Sequence, residues 1–329
     1  MPGHRRVRVD DVARSPRQEI SDSLTVGAYK LGSLLSKGVP TVLSALVGSA
    51  LGVPASVALR EKRLMVERHM RRVVPSASDW QIRRLTQKVF DSYARYYVES
   101  FRLPVLDAQQ VAKSFSVEGY DEHLVPALER GNGAILALPH LGGWEWAGRW
   151  AADLGNKMTV VVEPLQPPEL FDWFVELREK FGMRVIPVGP EAGSAALAAL
   201  RANEVLCLLC DRDISGGGVV TRFFGESTLL PAGPATLALR TGAALLPTAV
   251  YFTDRSDGHL GVIRPPIPCL RTGRLRADVE RITGLVAREL EFLIERAPEQ
   301  WHLLQPNWPS DPGYPFVVGS GGSDPASTV

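Results

Sequence analysis

Short apolar runs alternate with longer amphipathic segments through the middle of the chain. The runs have the length of β-strands, and the segments between them repeat apolar residues at helical spacing. Strands that alternate with helices are typical of a layered α/β fold with a mainly parallel sheet. The predicted strands are 133–139, 158–162, 184–188, 205–210, 244–251 and 260–264, and the predicted helices between them are 143–154, 168–181, 192–202 and 234–241. We therefore expect a central, mainly parallel β-sheet flanked by helices.

Helical periodicity continues on both sides of this region. Residues 78–103 and 277–296 each place aliphatic and aromatic side chains at helical spacing, which predicts two long helices that pack on the core.

The segment 38–59 carries no charged residue and is long enough to span a bilayer. Its glycines and prolines instead favour two short amphipathic helices with a break near residues 52–54, and a transmembrane helix is the alternative. The basic stretch 60–72 follows directly. Basic residues after an apolar stretch suit an anionic membrane surface, although a solvated helix face gives the same pattern.

The two ends of the chain differ from the rest in composition. Residues 1–20 are polar and rich in arginine, which predicts a disordered basic arm, and residues 319–329 form a Gly/Ser-rich tail that we also expect to be disordered. No secretory signal peptide is indicated. Residues 21–318 are interpreted as a single α/β domain, with 21–75 as a helical part that lies against the membrane.

Composition narrows the possible partners. The 329 residues are 45% hydrophobic with a net charge of +1, so the chain lacks the basic field of a nucleic-acid binder. Its three cysteines give no disulfide framework and fit a reducing compartment. Cys207 and Cys210 form a CxxC inside an apolar strand, with no second pair to complete a zinc set, so we interpret them as core residues and expect no metal.

The residues most suggestive of chemistry follow the strand that ends near Leu138. His140 comes directly after this strand, and in open α/β sheets ligands bind at the carboxyl ends of strands. Glu145 lies in the first turn of the next helix, where it could fold back to orient the imidazole for general-base catalysis. The alternative is a histidine satisfied by the backbone. Motifs for a serine-hydrolase elbow, a P-loop, a dinucleotide site and a zincin are missing from the sequence.

Other charged residues are predicted at the same edge of the sheet. Asp211, Arg212 and Asp213 follow a buried strand, and Glu163 follows another. An arginine there could hold a phosphate or an acidic group, while a structural salt bridge is equally compatible with the pattern.

Several further segments match a known family in order and spacing. They are Val161–Leu165, Leu177-Arg178, Phe181-Gly182, Phe223–Glu226, Pro231–Ala235, Pro298–His302 and Gln305–Trp308. With the His-x4-Glu element they make the chain resemble the lipid A lauroyl/myristoyl acyltransferase family, within the glycerolipid acyltransferase superfamily. The resemblance covers about residues 22–310 and is strongest to its actinobacterial branch, the phosphatidylinositol mannoside acyltransferases.

The resemblance implies a glycerol-3-phosphate acyltransferase-like fold with N-terminal amphipathic helices. It implies His140 as the catalytic base and Glu145 as its acidic partner, although the superfamily more often has Asp there. A second acidic residue is expected near the histidine, with Asp211, Asp213 and Glu226 as candidates. The residues expected to bind substrate are Glu163, Arg178, Asp211, Arg212, Asp213, Arg222 and Glu226.

The implied reaction moves a fatty acyl group, palmitoyl by family likeness, from acyl-CoA to a mannose hydroxyl of phosphatidylinositol mannoside. Acyl-CoA is a co-substrate, no cofactor is expected, and no covalent enzyme intermediate is required. The implied location is the cytosolic face of the cell membrane, as a peripheral protein on an anionic surface, with no nucleic-acid partner. The alternatives are an acyltransferase for another glycolipid or a lysophospholipid, or a non-catalytic lipid-binding protein on the same fold.

Overall fold

A computed structural model of the protein describes residue 38 and residues 43–164 and 167–316. In these residues a seven-stranded sheet has the order β1-β9-β8-β2-β5-β3-β4, and a separate two-stranded hairpin is formed by β6 and β7. The strands are β1 (Phe115–Glu118), β2 (Ala134–Leu138), β3 (Met158–Val162), β4 (Arg184–Pro187), β5 (Val205–Leu209), β6 (Val219–Phe223), β7 (Glu226–Leu230), β8 (Ala244–Phe252) and β9 (His259–Ile263). Within the sheet, β8 and β9 pair antiparallel and the other neighbours pair parallel. The predicted α/β class and mainly parallel sheet are confirmed.

Helices cover both faces of this sheet. Among the described residues the α-helices are α1 (Ser44–Ala58), α2 (Arg60–Val73), α3 (Asp79–Arg102), α4 (Ala108–Lys113), α5 (Val125–Glu129), α6 (Trp144–Asp153), α7 (Pro168–Lys180), α8 (Ala192–Arg201), α9 (Gly233–Thr241) and α10 (Leu275–Glu295). The strands and helices that the pattern predicted in this region lie within two residues of their observed ends. Strand β1 and the hairpin β6–β7 were not predicted, because β1 alternates over only four residues and the hairpin strands lack a continuous apolar run.

Strand β2 is buried on both faces and separates two packed layers. Ile135 and Ala137 face the cluster that includes the apolar side of α10, whereas Leu136 and Leu138 face the layer below α6. Successive side chains of a strand point to opposite faces. Because both faces of β2 are buried, its sequence is a continuous apolar run. The site described below lies on the α6 side.

The N-terminal helices differ from the prediction. We expected a break near residues 52–54, but α1 continues to Ala58 and the chain breaks at Leu59. A Cβ atom on Gly48 would lie 2.9 Å from the backbone of Arg95 in α3, so the glycine permits close helix packing. Tertiary packing here outweighs the low helix propensity of glycine and proline.

The packing of α1 leaves apolar side chains on its outer face. Leu46 is 67% exposed and Val57 is 72% exposed, whereas Ser56 is buried. Within the part of the chain that the structure describes, no helix combines the length and apolar character needed to cross a membrane. The arm 1–20, the tail 319–329 and most of 21–42 lie outside the described residues, and the domain boundaries stay predictions.

Candidate active site

His140 and Asp211 leave two neighbouring parallel strands at the same level. Leu138 of β2 pairs with Leu209 of β5, and the Cys210 N–H donates to the Leu138 carbonyl at 2.8 Å. The chain then runs two residues past the end of each strand, to His140 after β2 and to Asp211 after β5. The parallel register therefore places a histidine from one strand beside a carboxylate from the next, at the carboxyl edge of the sheet.

The Asp211 carboxylate accepts two hydrogen bonds from His140, one from the imidazole and one from the backbone. The Nδ1 of His140 lies 2.7 Å from Asp211 Oδ1, and the backbone N–H of His140 donates to Asp211 Oδ2 at 3.0 Å. Burial by itself would raise the pKa of Asp211, but the coupling to His140 and the bonds from His140 and Trp301 lower it. An ionised carboxylate can only accept, so the Nδ1–H of His140 donates to it, and in the neutral form of the ring Nε2 carries the free lone pair.

His140 and Asp211, which we call the dyad, differ in their exposure to solvent. The Asp211 side chain is fully buried, whereas 26% of the His140 side chain is exposed. An open imidazole with a buried carboxylate behind it is the arrangement of a general base. Asp211 was one of three candidates for the second acidic residue, and the structure selects it over Asp213 and Glu226.

Glu145 does not hold His140, contrary to our expectation. Its carboxylate accepts a hydrogen bond from the Tyr96 hydroxyl at 3.2 Å and forms an ion pair with Arg178 of α7. Helix α6 begins at Trp144, and the first turn directs the Glu145 side chain into the protein, where it is 4% exposed. The buried arginine there supplies the charge that a buried carboxylate needs. A catalytic role for Glu145 stays a prediction.

A largely apolar cavity lies between α6 and the sheet. Its volume is about 110 Å³, and it is bordered by the Glu145–Arg178 ion pair. Its apolar lining includes Leu136, Leu138, Val160, Val162, Leu209, Ala147, Gly148 and Ala151. These strand residues share one sheet face because side chains alternate.

The cavity and the imidazole meet at Trp144. This tryptophan lines the cavity, and its ring lies edge-on to the His140 ring with 6.0 Å between centroids. Tyr96 stacks on Trp144 at 4.2 Å, and His302 lies 5.8 Å from Trp144. Burial, and then the charge of His140, lower the pKa of His302 to about 3, so this second ring is neutral near pH 7.

The thiol in the cavity wall is not activated. Cys207 lines the cavity from β5, and burial raises the pKa of its thiol to about 12. A thiolate is the nucleophilic form of cysteine, so this group stays unreactive at neutral pH. Within the described residues, no cluster of His, Cys, Asp and Glu side chains is placed to hold a metal ion.

The remaining predicted residues fall into separate places. Glu163, directly after β3, forms an ion pair with Arg212, so these two are neighbours at the same sheet edge. Asp213 accepts hydrogen bonds from Ser215 and from the backbone of Gly216 and Gly218, and so it shapes the glycine loop.

The hairpin residues are directed elsewhere. Arg222 is exposed on β6, and Glu226 pairs with Arg72 of α2 at 3.0 Å. Roles for these residues in substrate binding stay predictions. Tyr96, Trp144 and Trp301 were not among the predicted site residues, because a buried aromatic residue in a sequence gives no sign of which polar group it meets.

Comparison with known proteins identifies the family of the chain. Residues 17–310 match the family model described as bacterial lipid A biosynthesis acyltransferase. A protein of Mycobacterium tuberculosis named phosphatidylinositol mannoside acyltransferase is 40% identical over 225 residues, which cover 67% of this chain and 69% of that protein. A protein of Mycolicibacterium smegmatis with the same name is 36% identical over 301 residues, 90% of this chain and 95% of that protein. The chain belongs to the lipid A biosynthesis acyltransferase family, and it is an O-acyltransferase.

Proposed function

We propose that this protein transfers a fatty acyl group from acyl-CoA to a mannose hydroxyl of phosphatidylinositol mannoside, with His140 as the general base. The observation that carries the proposal is the His140–Asp211 dyad, whose partly exposed imidazole lies edge-on to Trp144, a residue that lines the apolar cavity. The names of the two mycobacterial relatives supply the acceptor. The palmitoyl group stays an expectation from family likeness.

In this mechanism the acyl chain occupies the cavity and its thioester lies beside His140. Nε2 removes the proton from the mannose hydroxyl as its oxygen attacks the thioester carbonyl carbon. The tetrahedral intermediate then collapses, the C–S bond breaks, and the leaving thiolate of CoA takes the proton from the imidazolium. Asp211 stabilises the imidazolium between these steps. No cofactor enters the scheme, and the protonated Cys207 takes no part in it.

The substitution His140→Gln tests this mechanism. We expect turnover to fall by roughly 10²–10⁴-fold with little change in the midpoint of thermal unfolding, because the ring supplies base catalysis. The assay is product analysis by mass spectrometry with palmitoyl-CoA and mannosylated phosphatidylinositol. Near wild-type turnover by the variant would eliminate the proposal.

A parallel panel with other glycolipids and lysophospholipids identifies the acceptor class. Lipid binding without turnover on any acceptor would indicate a binding protein.

The outer face of the N-terminal helices supports a peripheral position on the cytosolic leaflet. Leu46, Val53 and Val57 of α1 are each more than half exposed. Several arginines of the 60–72 stretch are neutralised within the chain, because Arg68 pairs with Asp311 and Arg71 pairs with Asp79. Apolar insertion rather than charge is therefore the main attraction that α1 and α2 offer to a membrane.

Vesicle sedimentation tests this attachment. We expect the double variant Leu46→Glu, Val57→Glu to lose most binding to vesicles of phosphatidylinositol and phosphatidylcholine, since both side chains are exposed and the substitutions leave the core intact. Equal binding by the variant and the wild type would contradict a membrane role for this face.

A further inference from the structure

The segment after the last helix contacts both members of the dyad. The His302 N–H donates to the His140 carbonyl at 2.7 Å, and the Gly142 N–H donates to the Gln300 carbonyl at 3.0 Å. Leu141 and Trp301 form an antiparallel bridge between these two bonds. The loop that carries His140 is therefore paired with residues 300–302, a stretch for which the mechanism above gives no role.

Trp301 also bonds the carboxylate of the dyad. Its indole Nε1–H donates to Asp211 Oδ2 at 2.7 Å, the same oxygen that accepts the His140 backbone N–H. Oδ1 is then left for the imidazole. Two donors on one oxygen fix the plane of the carboxylate, and bonds to an ionised acceptor are stronger than neutral ones. Because an indole N–H does not titrate, it holds the carboxylate without competing for the proton of the dyad.

Trp301 is itself held in place by packing. It is 1% exposed and lies against the rings of His69, Phe224 and Trp308. The next residues of the segment are anchored as well, because Asn307 donates through its side chain to the Asp211 backbone carbonyl at 3.0 Å. A donor locked by its neighbours can position a catalytic group, whereas a mobile donor cannot.

The far end of the segment is tied to α2. Asp311 accepts hydrogen bonds from the backbone of Asn307 and Trp308, from Arg72 and from His69. Its side chain is fully buried. The aromatic segment 301–308 is thus fixed at one end to the dyad and at the other end to the N-terminal helices.

We propose that Trp301 is a positioning residue of the acyl transfer, whose indole N–H fixes the Asp211 carboxylate so that Oδ1 orients the imidazole of His140. This inference rests on the proposed function, in which His140 is the base. It assigns a chemical task to the Pro298–His302 segment. Without the indole donor, Oδ2 keeps the backbone N–H of His140, and the carboxylate can rotate away from the imidazole.

The chain offers a matched control for this inference. Trp308 is also fully buried and also donates its indole N–H, but to the carbonyl of Phe223 at 3.0 Å. The substitutions Trp301→Phe and Trp308→Phe each remove one buried indole and one hydrogen bond. They differ in whether that bond reaches the dyad.

Steady-state kinetics on the full chain form the first test. We expect Trp301→Phe to lower kcat by roughly ten- to a hundredfold with little change in either KM, the loss expected for a hydrogen bond to a charged group. Trp308→Phe keeps an aromatic ring beside Trp301, so it should keep kcat within about twofold after correction for the folded fraction. Equal losses of kcat in the two variants would show that Trp301 acts through stability and would overturn the inference.

A spectroscopic signal separates positioning from stability. The proton shared by His140 Nδ1 and Asp211 gives a downfield ¹H resonance, which should move in Trp301→Phe and stay in place in Trp308→Phe. If Trp301→Phe does not fold, 3-benzothienylalanine at position 301 keeps the shape of the ring and removes the N–H. An unmoved resonance with normal kcat in that variant would refute the inference, whereas normal turnover by His140→Gln would refute the proposed function instead.

Discussion

Among the described residues, the pairs His140–Asp211 and His259–Glu99 have the same hydrogen-bond distance and opposite surroundings. His140 lies 2.7 Å from Asp211 at the edge of the sheet, and His259 lies 2.7 Å from Glu99 in the interior. The side chain of His140 is 26% exposed, whereas that of His259 is fully buried. The distance between ring and carboxylate therefore does not identify a catalytic base, and access to the second ring nitrogen does.

The buried pair is enclosed from several directions. His259 stacks on Trp146 with 4.3 Å between ring centroids, and Arg95 donates to the other oxygen of Glu99 at 2.7 Å. Burial would raise the pKa of Glu99, but His259 and then Arg95 lower it. A Cβ atom on Gly143 would lie 2.9 Å from the His259 ring, so the interior pair supports the loop that carries His140. We propose that the His140–Asp211 pair serves catalysis, whereas the His259–Glu99 pair stabilises the interior.

The largest difference between the two pairs is expected in turnover. Asp211→Asn should lower kcat by about 10²–10⁴-fold, because an amide cannot stabilise the imidazolium and can favour the wrong tautomer. Circular dichroism and kcat measured side by side check this. Retention of kcat within about threefold would remove Asp211 from the mechanism and would break the contrast with Glu99.

A substitution in the His259–Glu99 pair should lower the stability of the protein rather than its turnover. Glu99→Gln should reduce the free energy of unfolding by about 3 kcal/mol, since it disrupts a buried network of charges. The kcat per folded molecule should change little. The exposed pair Arg276–Glu280 provides the control, because its side chains are 93% and 49% exposed and Glu280→Gln should cost less than about 0.5 kcal/mol. Urea titration measures all three proteins, and equal costs for the two variants would contradict the assignment.

A third pair, His69–Asp311, extends the contrast to acid stability. Burial would raise the pKa of Asp311, but bonds from His69, Asn307 and Arg72 hold it below its usual value. A carboxyl group with a lowered folded pKa adds stability above its unfolded pKa of about 3.9 and loses it as the pH falls. Unfolding titrations at several acidic pH values should therefore show a shallower loss for Asp311→Asn than for the wild type. Parallel curves for the two proteins would be inconsistent with this ion network.

The smallest effect is expected at the thiol of the cavity wall. Cys207→Ala should leave kcat within about twofold, because burial keeps the thiol protonated with a pKa of about 12. Steady-state kinetics and mass spectrometry of the intact protein during turnover check this. A covalent acyl adduct on Cys207, or a large loss of kcat, would show that the dyad at the rim does not account for the reaction.

Local pattern was sufficient for most of the sheet and for the position of the histidine that we propose as the base. The strands β2, β3, β5 and β8 carry clear apolar runs, and His140 follows the first of them, so its place at the sheet edge could be predicted. The partner of His140 could not be predicted with the same certainty. Glu145 is near in sequence, but the helix that starts at Trp144 turns it inward to Arg178.

Histidines elsewhere show the same limit. His259 follows the polar residues 253–257 in the sequence, yet it is 1% exposed. Strand β9 carries it to β8, where Phe252 pairs with it in register, and α3 supplies Glu99 from a distant part of the chain. Burial of a polar residue depends on whether a remote partner satisfies it, and that information is absent from its local pattern.

The sequence by itself determined the α/β class, the family and the histidine at the end of β2, because periodicity and strand-end position are local properties of the chain. The tertiary structure decided that Asp211 rather than Glu145 holds that histidine, and that Trp301 holds Asp211. It also decided which of the ring–carboxylate pairs stays open. These outcomes depend on strand register and on contacts between residues far apart in the chain, which no local pattern of hydrophobic and polar positions encodes.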